Sequence, residues 1–104
     1  MSTRLESLKQ FKDGCSIEEI SIVRNLAKST IEGHLAECIG KGELELDAVM
    51  PQKKIDAILP AIEKLGYTSL VPVKQLLGDL FSFSEIRMVA QHVKKMVQFK
   101  EAGI

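Results

Sequence analysis

Residues 16–47 read SIEEISIVRNLAKSTIEGHLAECIGKGELELD, and this stretch decides the fold. Ser16 and Glu19 have the spacing of a capping box, which marks the N-terminus of a helix. Asn25 is the expected break, because asparagine tolerates the left-handed backbone conformation that a tight turn needs. A second helix is predicted from Lys28, with a pair of glycines at its end. Two short helices joined by a tight turn predict a helix-turn-helix.

The sequence on either side of this motif extends the prediction. Residues 3–12 have apolar side chains at helical spacing, so a first helix precedes the motif. Residues 43–47, ELELD, alternate with period two. Five residues suffice for a short extended arm or a rudimentary wing, but not for a sheet.

Three further helices are predicted downstream. The first starts at Pro51, which suits the first helical position, and Pro60 is expected to kink or split it near Leu59. A shorter helix covers residues 71–77. A capping box at Ser82 opens a long final helix.

These segments predict an all-α fold of six short helices, with a possible rudimentary wing. The whole chain, residues 1–104, is interpreted as a single domain. Residues 1–47 form its three-helix core, residues 48–97 add the helices that pack on the core, and residues 98–104 form a frayed tail.

Charge and hydropathy restrict the function classes. The 14 Lys and Arg residues balance the 14 Asp and Glu residues. A net charge of zero argues against strong autonomous DNA binding, which normally shows a basic footprint. No apolar run approaches the ~20 residues of a membrane span, and the charged N-terminus is not a signal peptide. A cytoplasmic protein with no membrane partner is the resulting expectation.

The sequence contains no constellation that could catalyse a reaction. The two cysteines lack a CxxC neighbour, and no glycine-rich phosphate loop is present. His34 is interpreted as a boundary residue satisfied by water or a carboxylate, and His92 likewise. The expectation is no catalytic residue, no metal ligand set, no cofactor and no small-molecule substrate in this chain.

The candidate nucleic-acid contacts lie at the start of the second helix of the motif, which enters the major groove in helix-turn-helix proteins. They are Lys28, Ser29, Thr30 and Gly33. Lysine and the two hydroxyls suit phosphate, and glycine permits a close approach. Glu32 and Glu37 oppose this prediction, because carboxylates repel the phosphate backbone.

Two further groups of residues are candidates. The lysine pairs predicted to add phosphate charge are Lys53, Lys54, Lys94 and Lys95. Ile22 and Val23 crowd the first helix of the motif with apolar groups. Since a helix buries only one face, one of them is expected at the surface as a possible protein contact.

Several segments resemble a known family. Residues 29–35 read STIEGHL, residues 42–44 read GEL, and residues 46–47 read LD. Together they resemble the helix-turn-helix domain found at the C-terminus of many RecQ-type DNA helicases. Residues 84–89, SEIRMV, are similar to the end of the same domain. The resemblance covers residues 3–97.

The resemblance implies a function. The parent would be an ATP-dependent DNA helicase acting in replication, recombination and repair, whose motor, with its ATP and Mg, lies outside this chain. The chain would be an accessory domain that touches DNA or positions the motor. Its partners would be DNA and the rest of the helicase, and its location would be the bacterial nucleoid.

Two alternatives remain open. LuxR-type regulators have a similar SxxTVxxHL pattern, so a stand-alone transcription regulator is possible; it would need a dimer with recognition helices about 34 Å apart. The same fold could instead serve as a protein-interaction module of a helicase or repair complex, with Ile22 and Val23 at the contact.

Overall fold

The computed structural model describes residues 3–101 and places six α-helices among them. They are α1 (Thr3–Lys12), α2 (Ile17–Arg24), α3 (Lys28–Gly40), α4 (Gln52–Leu65), α5 (Val71–Leu77) and α6 (Phe83–Glu101). Two 3-10 turns, Leu46–Ala48 and Gly78–Leu80, precede α4 and α6. No strand occurs in this part of the chain, and the prediction of an all-α fold with six helices is confirmed.

Helix α3 lies at the centre of the fold and packs against α1, α2 and α6. Ile31, Leu35 and Ile39 recur every four residues along it, and all three side chains are fully buried. Burial of each such side chain contributes roughly 1.5–3 kcal/mol relative to exposure. This apolar stripe fixes which face of α3 remains available to a ligand.

One hydrophobic core runs through both halves of the chain. Leu35 of α3, Ile58 of α4 and Ile86 of α6 belong to the same buried cluster. Helix α4 packs on α5 and α6, and α6 in turn packs on α3. The buried cluster therefore extends across both halves of the chain. The division into a core of residues 1–47 and added helices over residues 48–97 stays a prediction.

The segment predicted as an extended arm or wing folds differently. Leu44 and Leu46 are buried and Glu45 is exposed, so the alternation correctly indicates which side chains face the core. The backbone nevertheless enters the 3-10 turn Leu46–Ala48, in which the Val49 amide donates to the Leu46 carbonyl at 3.0 Å. The wing prediction is wrong, because with no strand beside it this segment satisfies its backbone polar groups locally.

The two prolines of the α4 region have other roles than the sequence predicted. Helix α4 runs unbroken through Pro60, so the predicted split near Leu59 is wrong. Pro60 is exposed while Ile58 and Ile62 are buried on either side, so core packing compensates for the missing hydrogen bond. Pro51 caps α4 instead of occupying its first helical position.

The C-terminal helix is longer than expected. Helix α6 continues to Glu101, so residues 98–101 are helical; a frayed tail over residues 98–104 stays a prediction, and residues 102–104 lie outside the described residues. Val93 packs against the core and Val97 is half-buried, so the helix keeps an apolar face up to its last turns.

Candidate nucleic-acid interface

Hydrogen bonds define both ends of α2. The Glu19 amide donates to Ser16 Oγ at 3.1 Å, and the Ser16 amide donates to Glu19 Oε1 at 2.8 Å. The predicted capping box is confirmed, and these hydrogen bonds hold the pKa of Glu19 below its ordinary value. At the other end, Asn25 has a φ of 54° and the Leu26 amide donates to the Ser21 carbonyl at 3.0 Å. Asn25 thus ends α2 as predicted and turns the chain towards α3.

The N-terminus of α3 is open. Ala27 precedes it in extended backbone conformation and provides no side-chain cap. The Thr30 amide donates to the Ala27 carbonyl at 3.0 Å, whereas the amides of Lys28 and Ser29 meet no acceptor among the described residues. The side chains of Lys28, Ser29 and Thr30 are all exposed. Two amides, an ammonium group and two hydroxyls therefore lie together at the positive end of the helix dipole.

A partly buried polar network links α3 to the two helices before it. Arg24 Nη1 donates to Ser7 Oγ at 2.6 Å and to the Thr3 carbonyl at 2.8 Å. Ser7 is fully buried, and its Oγ lies 2.9 Å from His34 Nδ1. Since the Ser7 hydroxyl has one donor and two acceptor sites, it can pair with His34 Nδ1 in either tautomer of the ring while it accepts from Arg24. The partner of His34 Nδ1 is therefore a serine hydroxyl, which the sequence did not predict.

The charge state of His34 follows from its surroundings. Partial burial is the main cause that lowers the pKa of His34, and the positive charge of Arg24 adds to it. Glu37 acts in the opposite direction but does not reverse the shift. Burial and Arg24 therefore both favour the neutral form of the ring.

A second clamp holds the end of α3. Arg4 donates to both carboxylate oxygens of Glu43, at 2.9 Å from Nε and 2.7 Å from Nη2, and this pairing lowers the pKa of Glu43. Cys38, between these groups, is buried, which raises the pKa of its thiol to about 11. A protonated, buried thiol is a core side chain and not a nucleophile.

Arg87 of α6 is a cation at this surface that was not among the predicted contacts. Its Nη1 would lie 3.4 Å from a Cβ built on Gly33, so the guanidinium rests against α3 where that helix has no side chain. Arg87 is exposed and has no salt bridge with the described residues. Its helical spacing with Lys94 could have indicated a shared face of α6, but the packing of α6 on α3 is not visible in the sequence.

Two of the predicted lysines are free to meet an anion. Lys53 on α4 and Lys94 on α6 are exposed, and neither forms a salt bridge within the described part of the chain. Lys94 lines the same surface cleft as Arg87. The structure therefore places Lys94 in one cleft with Arg87, which was not predicted from the sequence as a contact.

The other two lysines lie beside carboxylates. Lys54 forms an ion pair with Glu85, and both line a cleft with Glu32, so the acidic Glu32 has a cation nearby. Lys95 has a side chain only 11% exposed, with its Nζ 4.0 Å from Glu45. Contrary to expectation, Lys95 does not present a free ammonium group, because the packing of α6 on α3 covers it. A role for Lys95 in DNA binding stays a prediction.

Ile22 and Val23 are both at the surface, next to the turn of the motif. Their exposed fractions are 76% and 71%, while Ile20 of the same helix is fully buried. The sequence led us to expect one exposed side chain, and the structure places two side by side. An adjacent apolar pair is a more plausible contact than a single residue.

The described residues contain no group of three or more His, Cys, Asp or Glu side chains that could hold a metal ion. Within the same residues, no helix combines the length and the apolar character that a bilayer crossing requires.

Comparisons with known proteins agree with the motif. A family model described as a helix-turn-helix domain matches residues 3–90, from α1 into the first half of α6. No curated protein and no solved structure matches the chain. Helix-turn-helix domains bind DNA through the second helix of the motif, so the family suggests DNA binding.

Proposed function

Since this chain belongs to the helix-turn-helix domain family, we propose that it is a non-catalytic DNA-binding domain that positions a RecQ-like helicase on its substrate. The open N-terminus of α3 is the observation that supports the proposal. Lys28, Ser29 and Thr30 are exposed there beside amides without acceptors. A phosphate would complete the hydrogen bonds that the protein itself leaves unmade.

The contact is primarily electrostatic. Lys28 supplies charge, Ser29 and Thr30 donate to phosphate oxygens, and Arg87 extends the contact from α6 across Gly33. With a net charge of zero and Glu37 exposed on α3, this surface binds DNA weakly and with little sequence preference. Weak binding suits a domain that assists a motor.

The helicase assignment rests on the sequence resemblance. STIEGHL at residues 29–35 lies in the first two turns of α3, and SEIRMV at residues 84–89 lies in the first two turns of α6, which packs on α3. The two segments that carry the resemblance are thus parts of one helix pair. In this proposal the motor, outside this chain, uses ATP and Mg, and the protein acts at the nucleoid.

Fluorescence anisotropy at low salt tests the proposal, with duplex, forked and single-stranded DNA probes. We expect duplex and forked probes to bind with strong salt dependence. Lys28→Ala should reduce the slope of log K against log salt by about 0.9, the value for one phosphate contact. Lys64→Ala is the matched control, since Lys64 is also exposed and without a salt bridge among the described residues, but lies on α4.

An absence of salt-dependent binding to all three probes would overturn the proposal. Binding that Lys28→Ala and Lys64→Ala weaken equally would show that the N-terminus of α3 is not the contact.

A protein-contact function is the second candidate, and the paired exposure of Ile22 and Val23 favours it. In this case the partner is the rest of the helicase. Ile22→Glu should abolish binding to the motor without unfolding the domain, whereas Leu80→Glu, at an 81% exposed residue far along the chain, should not. Equal binding by both variants excludes this surface.

A further inference from the structure

A surface cleft beside α3 has a composition that the helix-turn-helix does not explain. It measures about 560 Å³, within the range of roughly 300–1,000 Å³ that small-ligand sites occupy. Its lining includes two aromatic rings, two cations and two uncharged polar side chains. They are Tyr67, Phe83, Arg87, Lys94, Thr68 and Gln91.

Charge and ring exposure indicate what this cleft could accept. Arg87 and Lys94 are its charged residues, and no carboxylate lines it. Phe83, the first residue of α6, is 46% exposed, so part of its ring is accessible to a ligand in the cleft. The ligand it suits is anionic and has a flat apolar face.

The cleft is continuous with the proposed DNA contact. Arg87 both lines the cleft and lies against Gly33 of α3. A ligand held at the N-terminal half of α3 would therefore have the cleft beside it, on the far side of Arg87.

We propose that this cleft binds an unpaired nucleotide of single-stranded DNA. The base stacks on Phe83, with Tyr67 beside it, and the flanking phosphates lie at Arg87 and Lys94. Aromatic side chains next to cations are the usual means of binding single strands without sequence preference, because every base has a flat face. The inference rests on the proposed function, from which it takes DNA as the ligand and the neighbouring contact at α3.

The base and the phosphate contributions can be separated by the choice of probe. An oligothymidylate and an abasic oligonucleotide of equal length have the same phosphates but differ in bases. We expect the oligothymidylate to bind roughly tenfold more tightly, as one stacked base can provide. Equal affinities would overturn the proposal.

Variants then locate the site. Phe83→Ala should remove the higher affinity for oligothymidylate over the abasic strand, and Phe83→Trp should retain it. Leu80→Ala is the matched control, because Leu80 is an exposed apolar residue outside the cleft. Arg87→Gln with Lys94→Gln should lower the single-strand salt slope by about 1.4, for two contacts. A Phe83→Ala variant that still prefers oligothymidylate would place the base elsewhere.

The outcomes are distinguishable from those of the proposed function. Blunt duplex binding reports the N-terminus of α3 and should be unchanged by Phe83→Ala. Duplex binding together with equal affinity for the two single-stranded probes overturns the cleft alone. If poly-glutamate displaces labelled oligothymidylate as well as unlabelled oligothymidylate does, the cleft accepts acidic polymers in general and the nucleotide proposal is wrong.

Discussion

The two helices of the motif begin in opposite ways. Helix α2 starts at Ser16, whose hydroxyl accepts from the Glu19 amide while Glu19 accepts from the Ser16 amide. Helix α3 starts at Ala27, which has no side-chain cap, and its first turn contains no acidic residue. At the N-terminus of α2, backbone amides donate to side chains of the protein, whereas the first amides of α3 can donate to solvent or to a ligand.

This difference separates stability from function within one motif. A side-chain cap is worth about 1 kcal/mol, so its absence at α3 is a cost to folding. Core packing compensates, because Ile31, Leu35 and Ile39 are fully buried. Only a helix that is anchored along its length by other contacts can leave its first turn open to DNA.

The strongest test is to give α3 the cap that it lacks. Ala27→Asp should bind the amides of the first turn and place a negative charge beside Lys28. We expect duplex affinity to fall by about tenfold or more, while stability increases by about 1 kcal/mol, since Ala27 already has the extended backbone of an N-cap. Anisotropy and thermal unfolding measure the two effects.

Ala27→Ser separates the cap from the charge. It should stabilise the domain similarly but weaken DNA binding less, because the hydroxyl is neutral. If Ala27→Asp stabilised the domain and left duplex affinity unchanged, the N-terminus of α3 would not be a DNA contact.

The second test removes the cap that α2 has. Ser16→Ala should lower the free energy of unfolding by about 1 kcal/mol, which corresponds to a fall of about 4–8 °C in Tm for a domain of this size. DNA affinity should not change, because these donors are used within the protein. Ser29→Ala is the matched control, since Ser29 is exposed at α3 and should affect DNA affinity more than stability. A Ser16→Ala variant with native Tm contradicts the comparison.

The smallest expected effect is a pH dependence of the stability of the domain, which arises from His34 in the polar network with Ser7 and Arg24. The pKa of His34 is lowered in the folded state, so below its ordinary value of about 6.5 the unfolded chain binds more protons. Stability should therefore be fully present above pH 6.5 and decrease as the pH falls below it. His92 adds in the same direction, since burial and then Lys95 lower its pKa.

Thermal unfolding between pH 7.5 and 5.5 measures this dependence, because the carboxylates of Asp and Glu ordinarily titrate below this range. His34→Gln should reduce the slope of Tm against pH but not abolish it, because His92 remains. An unchanged slope in His34→Gln would mean that His34 does not contribute to the pH dependence, and that its pKa is not lowered in the folded state.

Much of the motif was predictable because its signals are local. The capping boxes at Ser16 and Ser82 and the left-handed Asn25 each act within a few residues, and all three were found as expected. The placement of Lys28, Ser29 and Thr30 at the surface follows from the same short-range pattern.

The rest depended on neighbours that the sequence does not reveal. Lys94 and Lys95 look equivalent as a pair, yet one is exposed and the other is covered beside Glu45. Leu44 and Leu46 alternate as in a strand, but no strand lies beside them in the described residues. Pro60 was expected to kink or split α4; the helix is not split, because buried residues on either side keep it continuous.

The sequence by itself determined the helices, their turn and the open start of α3, because capping, backbone conformation and helical period are properties of adjacent residues. Only the tertiary structure decided that α6 lies on α3, with Arg87 over Gly33 and with Phe83 and Lys94 around one cleft. The physical reason is that residues more than fifty positions apart meet through packing of apolar faces, and many partners satisfy an apolar face equally well until the whole chain is folded.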